Sequence, residues 1–216
     1  MAGSLERSTL HVEGPDDVHS IIHLLIHHGI DYDAKPWPAG FPELKKAEGI
    51  GKLLEAIETA ITLGTGRSIG FVLDADIDVT NRWRRVRDRL KKAGVNAPTA
   101  LSPDGFIGES QDYRCRVGVW LMPDNVRSGA LETFLRDLIH EQDPLISHAQ
   151  ASTDSAKNLG AKFALSVQLK AVLPTWLAWQ VEPGLPYGSA IRARYFRHDT
   201  AAALSFVAWF KTLYGL

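Results

Sequence analysis

Three aspartates at alternating positions, Asp74, Asp76 and Asp78, follow directly on the apolar run Ile69 to Leu73. Carboxylates are hard oxygen donors suited to a hard divalent cation. The run before them reads as a buried strand, and in open α/β sheets ligands sit in the crevice beyond the carboxyl ends of the strands. One such aspartate alone reads as a helix cap or a solvated loop charge; three in alternation at a strand end favour a metal role. A second acid stands in the same context. Ser8 to Gly14 has the β-branched and apolar character of a strand, ends in Glu13-Gly14, and passes into Pro15-Asp16-Asp17, a proline and two acids suited to a first helical turn. In a parallel sheet these two strand ends share an edge, so Glu13 and Asp74 are expected to face each other across one crevice.

Two further acids fall near strand ends. Tyr113 to Met122 alternates like a strand and leads to Asp124, and Ser128 to Glu132 opens a helix in which Glu132 either serves the helix dipole or points back to the crevice. Thr80 is expected to cap an amphipathic helix from Asn81 to Ala93. That helix places Trp83, Val86 and Leu90 on one side and Arg82, Arg85, Arg89 and Lys92 elsewhere. With Arg84, Arg87 and Lys91 it is the most basic segment of the chain. A charged helix face is ordinarily solvated surface; beside a carboxylate site it would also attract a phosphate backbone. His19, His23 and His27 recur at helical spacing. Without a glutamate in an HExxH arrangement they read as a structural or solvent-facing stripe rather than a zinc site.

The elements that must position these groups follow from apolar periodicity. Val18, Ile21, Ile22, Leu25 and Ile26 mark the first helix, which Gly29 closes. Asp31 to Pro42 reads as a short strand and a loop, and Gly51 to Leu63 as a helix. Pro98 to Gly108 is loop-like. Polarity rises from His140 to Asn158, Lys162 to Val172 has a helical pattern, and Trp176 to Tyr187 is aromatic and rich in Pro and Gly. A short helix over Gly188 to Arg194 and a last amphipathic helix capped by Thr200 complete the chain. The fold class expected is α/β, a mostly parallel central sheet flanked by helices, in one domain over 1–216. Its motif-bearing core covers about 8–140 and a C-terminal helical extension about 150–216.

With 216 residues, 45% hydrophobic and 23% charged, the chain can bury one sizeable core. No run approaches the ~18–20 apolar residues of a membrane span, and Met1 to Ser8 has no apolar signal-peptide centre, so no membrane partner and a cytoplasmic location are expected. The single cysteine, Cys115, reads as a small hydrophobe in a strand. A net charge of -1 gives no global pull toward nucleic acid, so such a partner needs a local basic patch or a bridging metal.

Glu13-Gly14 at the end of the first strand and Asp74-Ala75-Asp76 at the end of a later one resemble the signature of the Toprim (topoisomerase-primase) superfamily. The overall layout is similar to its overcoming-lysogenisation-defect (OLD) type nucleases and to small stand-alone Toprim-like proteins of unassigned function. The resemblance covers about Thr9 to Glu132. Three further matches are to the OLD-type branch: Asp17 four residues after the glutamate, Glu132 opening a helix, and Gly160-Ala161-Lys162. The resemblance implies a Rossmann-like Toprim fold and metal-dependent phosphodiester chemistry on DNA or RNA. Asp17, Asp74, Asp76, Asp78 and Glu132, with Asp124 as a further candidate, would hold Mg2+ or Mn2+. Glu13 would act as general acid/base, Lys162 would neutralise developing charge, and Arg82, Arg85 and Arg89 would contact phosphates. OLD-type nucleases carry an ATPase; no Gly-x-x-x-x-Gly-Lys-Ser/Thr loop occurs here, so ATP-driven activity would come from a separate partner protein. Two other classes remain open. One is a non-catalytic module binding nucleic acid, nucleotide or a partner; the other, weakened by chain length and by a single Glu13 in place of an acidic pair, is a phospho-acceptor receiver.

Overall fold

The computed structural model describes residues 7–38 and 40–216. The reading of the first eight residues therefore falls, up to residue 6, outside the described residues, as does position 39 of the Asp31 to Pro42 loop. The chain is α/β. Among the described residues one five-stranded sheet has the order β2-β1-β3-β5-β4. Its strands are β1 (Thr9–Val12), β2 (Glu43–Lys46), β3 (Ser68–Asp74), β4 (Phe106–Ser110) and β5 (Cys115–Met122). All neighbouring pairs are parallel except β4 with β5. The helices are α1 (Pro15–His27), α2 (Ile50–Thr62), α3 (Val79–Lys92), α4 (Leu131–Asp137), α5 (Pro144–Asn158), α6 (Leu169–Leu177), α7 (Tyr187–Arg192) and α8 (Ala201–Tyr214).

Alternation along the central strands divides the core in two, because successive strand side chains point to opposite faces. Ile69, Phe71 and Leu73 of β3, with Val117, Val119 and Leu121 of β5, pack under α2 and α3. Val72, Trp120 and Met122 face the other way, into a cluster with α1, α4, α5, α6, α7 and α8. The C-terminal helices thus share a core with the sheet that carries the acids. No helix among the described residues is long and apolar enough to cross a membrane.

Helix α8 reaches the sheet through two glycines paired in register, Gly70 and Gly118. A Cβ on Gly70 would lie 2.4 Å from the Tyr214 hydroxyl and 2.6 Å from Leu10, and one on Gly118 would lie 2.5 Å from Leu213. The Tyr214 hydroxyl donates to the Thr9 carbonyl at 2.8 Å, tying the last helix to the first strand. Gly70→Ala or Gly118→Ala is expected to lower unfolding free energy by about 1–3 kcal/mol through overpacking. Gly51→Ala, where an added Cβ meets nothing within 4 Å, is expected to be neutral or stabilising. Urea midpoints at constant m-value check both.

Several expected elements differ. The short strand expected within Asp31 to Pro42 lies later, at Glu43–Lys46, a mostly exposed edge strand of sequence ELKK. Charged residues suit an edge but erase the alternation that marks a strand. The loop-like Pro98 to Gly108 ends in β4, whose pairing with β5 decides its conformation. The polar stretch after His140 contains α5, capped by the Asp143 carboxylate, which accepts from Leu145 N–H at 2.7 Å and Ile146 N–H at 3.1 Å. Only Ile146, Ala149 and Thr153 of α5 are buried, a stripe too thin to dominate its composition. The helix expected over Lys162 to Val172 is instead a turn, a short 3-10 segment (Leu165–Val167) and then α6. Asp78, not Thr80, caps α3, accepting from Asn81 N–H at 2.9 Å.

Candidate active site

The parallel pairing of β1 with β3 brings Glu13 and Asp74 together at one edge of the sheet. The Asp74 N–H donates to Glu13 Oε1 at 2.7 Å, and Asp74 Oδ1 in turn accepts from Leu131 N–H, at the start of α4, at 3.0 Å. One aspartate therefore joins the ends of β1 and β3 to the helix that carries Glu132. Asp17, in the first turn of α1, reaches back to accept from Gly14 N–H at 2.9 Å, fixing the turn after Glu13. These contacts explain why Glu13-Gly14-Pro15 folds as strand, tight turn and helix start.

Glu13, Asp17, Asp74 and Glu132 line a common cavity of about 350 Å³, with exposed Asp16 and Glu48 also on its wall. Its cation is Lys170, whose Nζ lies 2.9 Å from Glu132 Oε1. Burial pushes the carboxyls of Glu13, Asp17 and Asp74 up to about 7 in each case. Neighbouring carboxylates add to the rise: Asp17 acts on Glu13, Asp74 on Asp17, and Glu13 and Glu132 on Asp74. Burial alone would lower the Lys170 ammonium, but the Glu132 carboxylate outweighs it and holds the pKa above the ordinary lysine value. The crevice concentrates negative charge that water solvates poorly, and protons relieve it near neutrality.

The residues fit a magnesium-class ion by donor chemistry. Glu13, Asp17 and Asp74 each commit one oxygen to a backbone N–H, leaving the other oxygen to accept or ligate. Among the described residues no three His, Cys, Asp or Glu side chains are gathered tightly enough to hold an ion unaided. Mg2+ prefers oxygen donors, keeps several waters and is commonly held by one or two carboxylates together with substrate phosphate.

The remaining candidates are placed differently. Asp76 adopts a positive φ of 55° and exchanges backbone hydrogen bonds with Gly129 at 2.8 and 2.7 Å, which turns its half-exposed side chain out of the strand line. Its carboxylate pairs with Arg82. Arg82 is only 6% exposed and pairs with Asp76 through Nη2, so its guanidinium faces inward instead of standing free for phosphate; its Nε and Nη1 have no partner among the described residues. Arg85 is exposed and lines a small cavity of about 200 Å³ with Asp76 and Asp78; Arg89 is half-buried further along α3. Asp78 is engaged as a helix cap. Asp124 turns away from the crevice to Arg127, whose guanidinium also pairs with Asp137. These groups, with Arg197 and Asp199, line another cavity, of about 1190 Å³, where opposed charges satisfy one another.

Lys162 is exposed in the turn before the 3-10 segment, whereas Lys170, eight positions on, meets the carboxylates. The sequence carries no motif marking Lys170; only the docking of α6 beside α4 brings it in. Two of the three histidines in the stripe make packing and hydrogen-bond contacts to α7 and its neighbourhood. His27 Nε2 bonds the Ile191 carbonyl at 2.9 Å and its ring stacks on His198, and His19 backs onto Gly188 of α7.

Comparison with curated proteins and with solved structures gives no match. A family profile described as "Protein of unknown function (DUF3226)" matches residues 7–215, nearly the whole chain, which therefore belongs to the DUF3226 family.

Proposed function

We propose that this protein performs metal-dependent phosphodiester cleavage on nucleic acid, as a Toprim-type nuclease or the nuclease subunit of a larger assembly. The observation that carries the reading is the direct bond from Asp74 N–H to Glu13, which sets a general acid/base candidate beside buried carboxylates at one sheet edge. A carboxyl near 7 is matched to proton transfer at neutral pH. Asp74 and Asp17 would hold Mg2+ or Mn2+, with Glu132 and Asp76 completing one or two sites. The ion, when bound, would supply charge stabilisation for the attacking and leaving oxygens. Glu13 would accept the proton of the attacking water as the phosphorus–oxygen bond to the leaving group breaks. Lys170, released from Glu132, would stand nearest to the developing phosphorane charge. Exposed Arg84 and Arg85 on α3 would give a phosphate backbone its first contacts.

Incubation with single-stranded and duplex DNA and RNA in Mg2+, Mn2+ or chelator tests this. Cleavage that requires metal is expected, and absence of cleavage of every substrate contradicts it. Lys170→Ala is expected to slow cleavage by about 10- to 100-fold, while Lys162→Ala stays within about two-fold of the parent. The second reading is a non-catalytic module that binds nucleic-acid ends or a partner. It draws on the lack, among the described residues, of a ready-made three-ligand metal cluster. Metal-dependent binding without turnover would favour it.

A further inference from the structure

Ile77 is 85% exposed, Leu165 67% and Val167 39%. They come from segments far apart in sequence, the turn before α3 and the 3-10 segment before α6, yet all line one cavity of about 590 Å³. Asp74, Asp76, Glu132 and Lys170 line it too. Polar groups share the same wall. Ser166 is exposed and has no partner among the described residues, and Gln168 donates its side-chain nitrogen to Asp154 while its side-chain oxygen Oε1 has no partner among the described residues.

Leaving large aliphatic side chains in water beside a carboxylate crevice has a cost that an apolar ligand surface would recover. The phosphate rail of a duplex does not recover it, because its bases are stacked inside and the surface it presents is anionic and hydrated. An unstacked nucleobase matches both kinds of group, with two apolar faces for Ile77, Leu165 and Val167 and a polar edge for Ser166 and Gln168. The volume lies within the roughly 300–1,000 Å³ typical of small-ligand sites. A phosphate held at Asp74 would place its adjoining nucleoside in this cavity, because the two sites share that aspartate.

We propose that the cavity lined by Ile77, Leu165 and Val167 receives one unstacked nucleobase next to the phosphate under attack, so that the protein selects single-stranded nucleic acid over paired duplex. This rests on the phosphodiesterase reading above for its chemistry, but the binding it describes is measurable without turnover.

The test compares one sequence as a single strand and as a blunt duplex, in DNA and in RNA, using the parent, Ile77→Ser/Leu165→Ser and the control Val181→Ser, whose side chain is 91% exposed and does not line the cavity. Single strands are expected to be cleaved at least about 10-fold faster than duplex. The double variant should lose about 10-fold in kcat/KM on single strands, carried by KM, with Val181→Ser unchanged. A gain from DNA or from RNA alone identifies the sugar and supports the proposal equally. Equal cleavage of single strand and duplex, or a double variant indistinguishable from the parent, overturns the cavity assignment and leaves the phosphodiesterase reading standing. If no substrate is cleaved, the phosphodiesterase reading fails, and fluorescence anisotropy with a labelled single strand in Mg2+ decides the cavity alone. An affinity about 10-fold weaker in the double variant supports it, and an unchanged affinity overturns it.

Discussion

Asp74→Asn is expected to reduce metal-dependent cleavage by at least about 100-fold while leaving the protein folded. The asparagine side-chain oxygen can still accept from Leu131 N–H, and the backbone N–H at position 74 can still reach Glu13, so the junction of β1, β3 and α4 persists. What is lost is the negative charge proposed to hold the ion. Glu13→Gln should fall by a comparable factor for a different reason, since the amide oxygen keeps the hydrogen bond from the Asp74 N–H and the proposed proton acceptor is removed. Asp78→Asn should have little effect on rate, because an asparagine caps a helix nearly as well and Asp78 is engaged as the cap of α3. Rates and thermal midpoints measured on the same preparations check this. An Asp74→Asn protein that cleaves at the parent rate would remove Asp74 from the mechanism.

The second large effect is a stability that responds to pH and metal in opposite senses. Burial and mutual repulsion raise Glu13, Asp17 and Asp74 to about 7 in the fold, against about 4 in the unfolded chain. Between those values the folded state holds more protons, so the stability of the metal-free protein falls as pH rises from about 4 to about 7 and then levels. A divalent ion bound as proposed would take the place of those protons. Its affinity should rise with pH across the same window and flatten above about 8. At pH 8, with free Mn2+ about 100-fold above its Kd, the gain is about 2.7 kcal/mol, or roughly 5–10 °C in thermal midpoint for a chain of this size. At pH 5.5 the gain should be much smaller, and in Asp74→Asn it should be largely absent. Scanning calorimetry across pH with Mn2+ or chelator reads all three. A gain at pH 8 that is equal in parent and Asp74→Asn would place the ion elsewhere.

The sheet edge was legible because two local signals agreed with a global one. Ile69 to Leu73 is too apolar to be anything but buried, Glu13-Gly14-Pro15 can only leave a strand sharply, and parallel pairing puts both ends on one side. Residues whose role depends on distant partners were not legible. Lys170 becomes part of the crevice through helix docking that no local pattern encodes, while Lys162, in a short motif, is exposed in solvent. Arg82 sits in the most basic stretch of the chain, yet helical phase turns it inward to Asp76 and leaves Arg84 and Arg85 outside. Asp124 follows a strand end as Asp74 does, but Arg127 three residues on captures its carboxylate locally. The edge strand β2 was misplaced and β4 missed for a related reason: with one partner strand each, their composition is free to be charged or glycine-containing.

Anomalous diffraction from a crystal soaked in millimolar Mn2+ at pH 8 bears most directly on whether this crevice is a metal site. A peak within bonding distance of Asp74, beside Glu13 and Asp17 and accompanied by movement of Lys170 away from Glu132, is the predicted result. A crevice without anomalous density under those conditions, with Lys170 still paired to Glu132, would contradict the metal-dependent account.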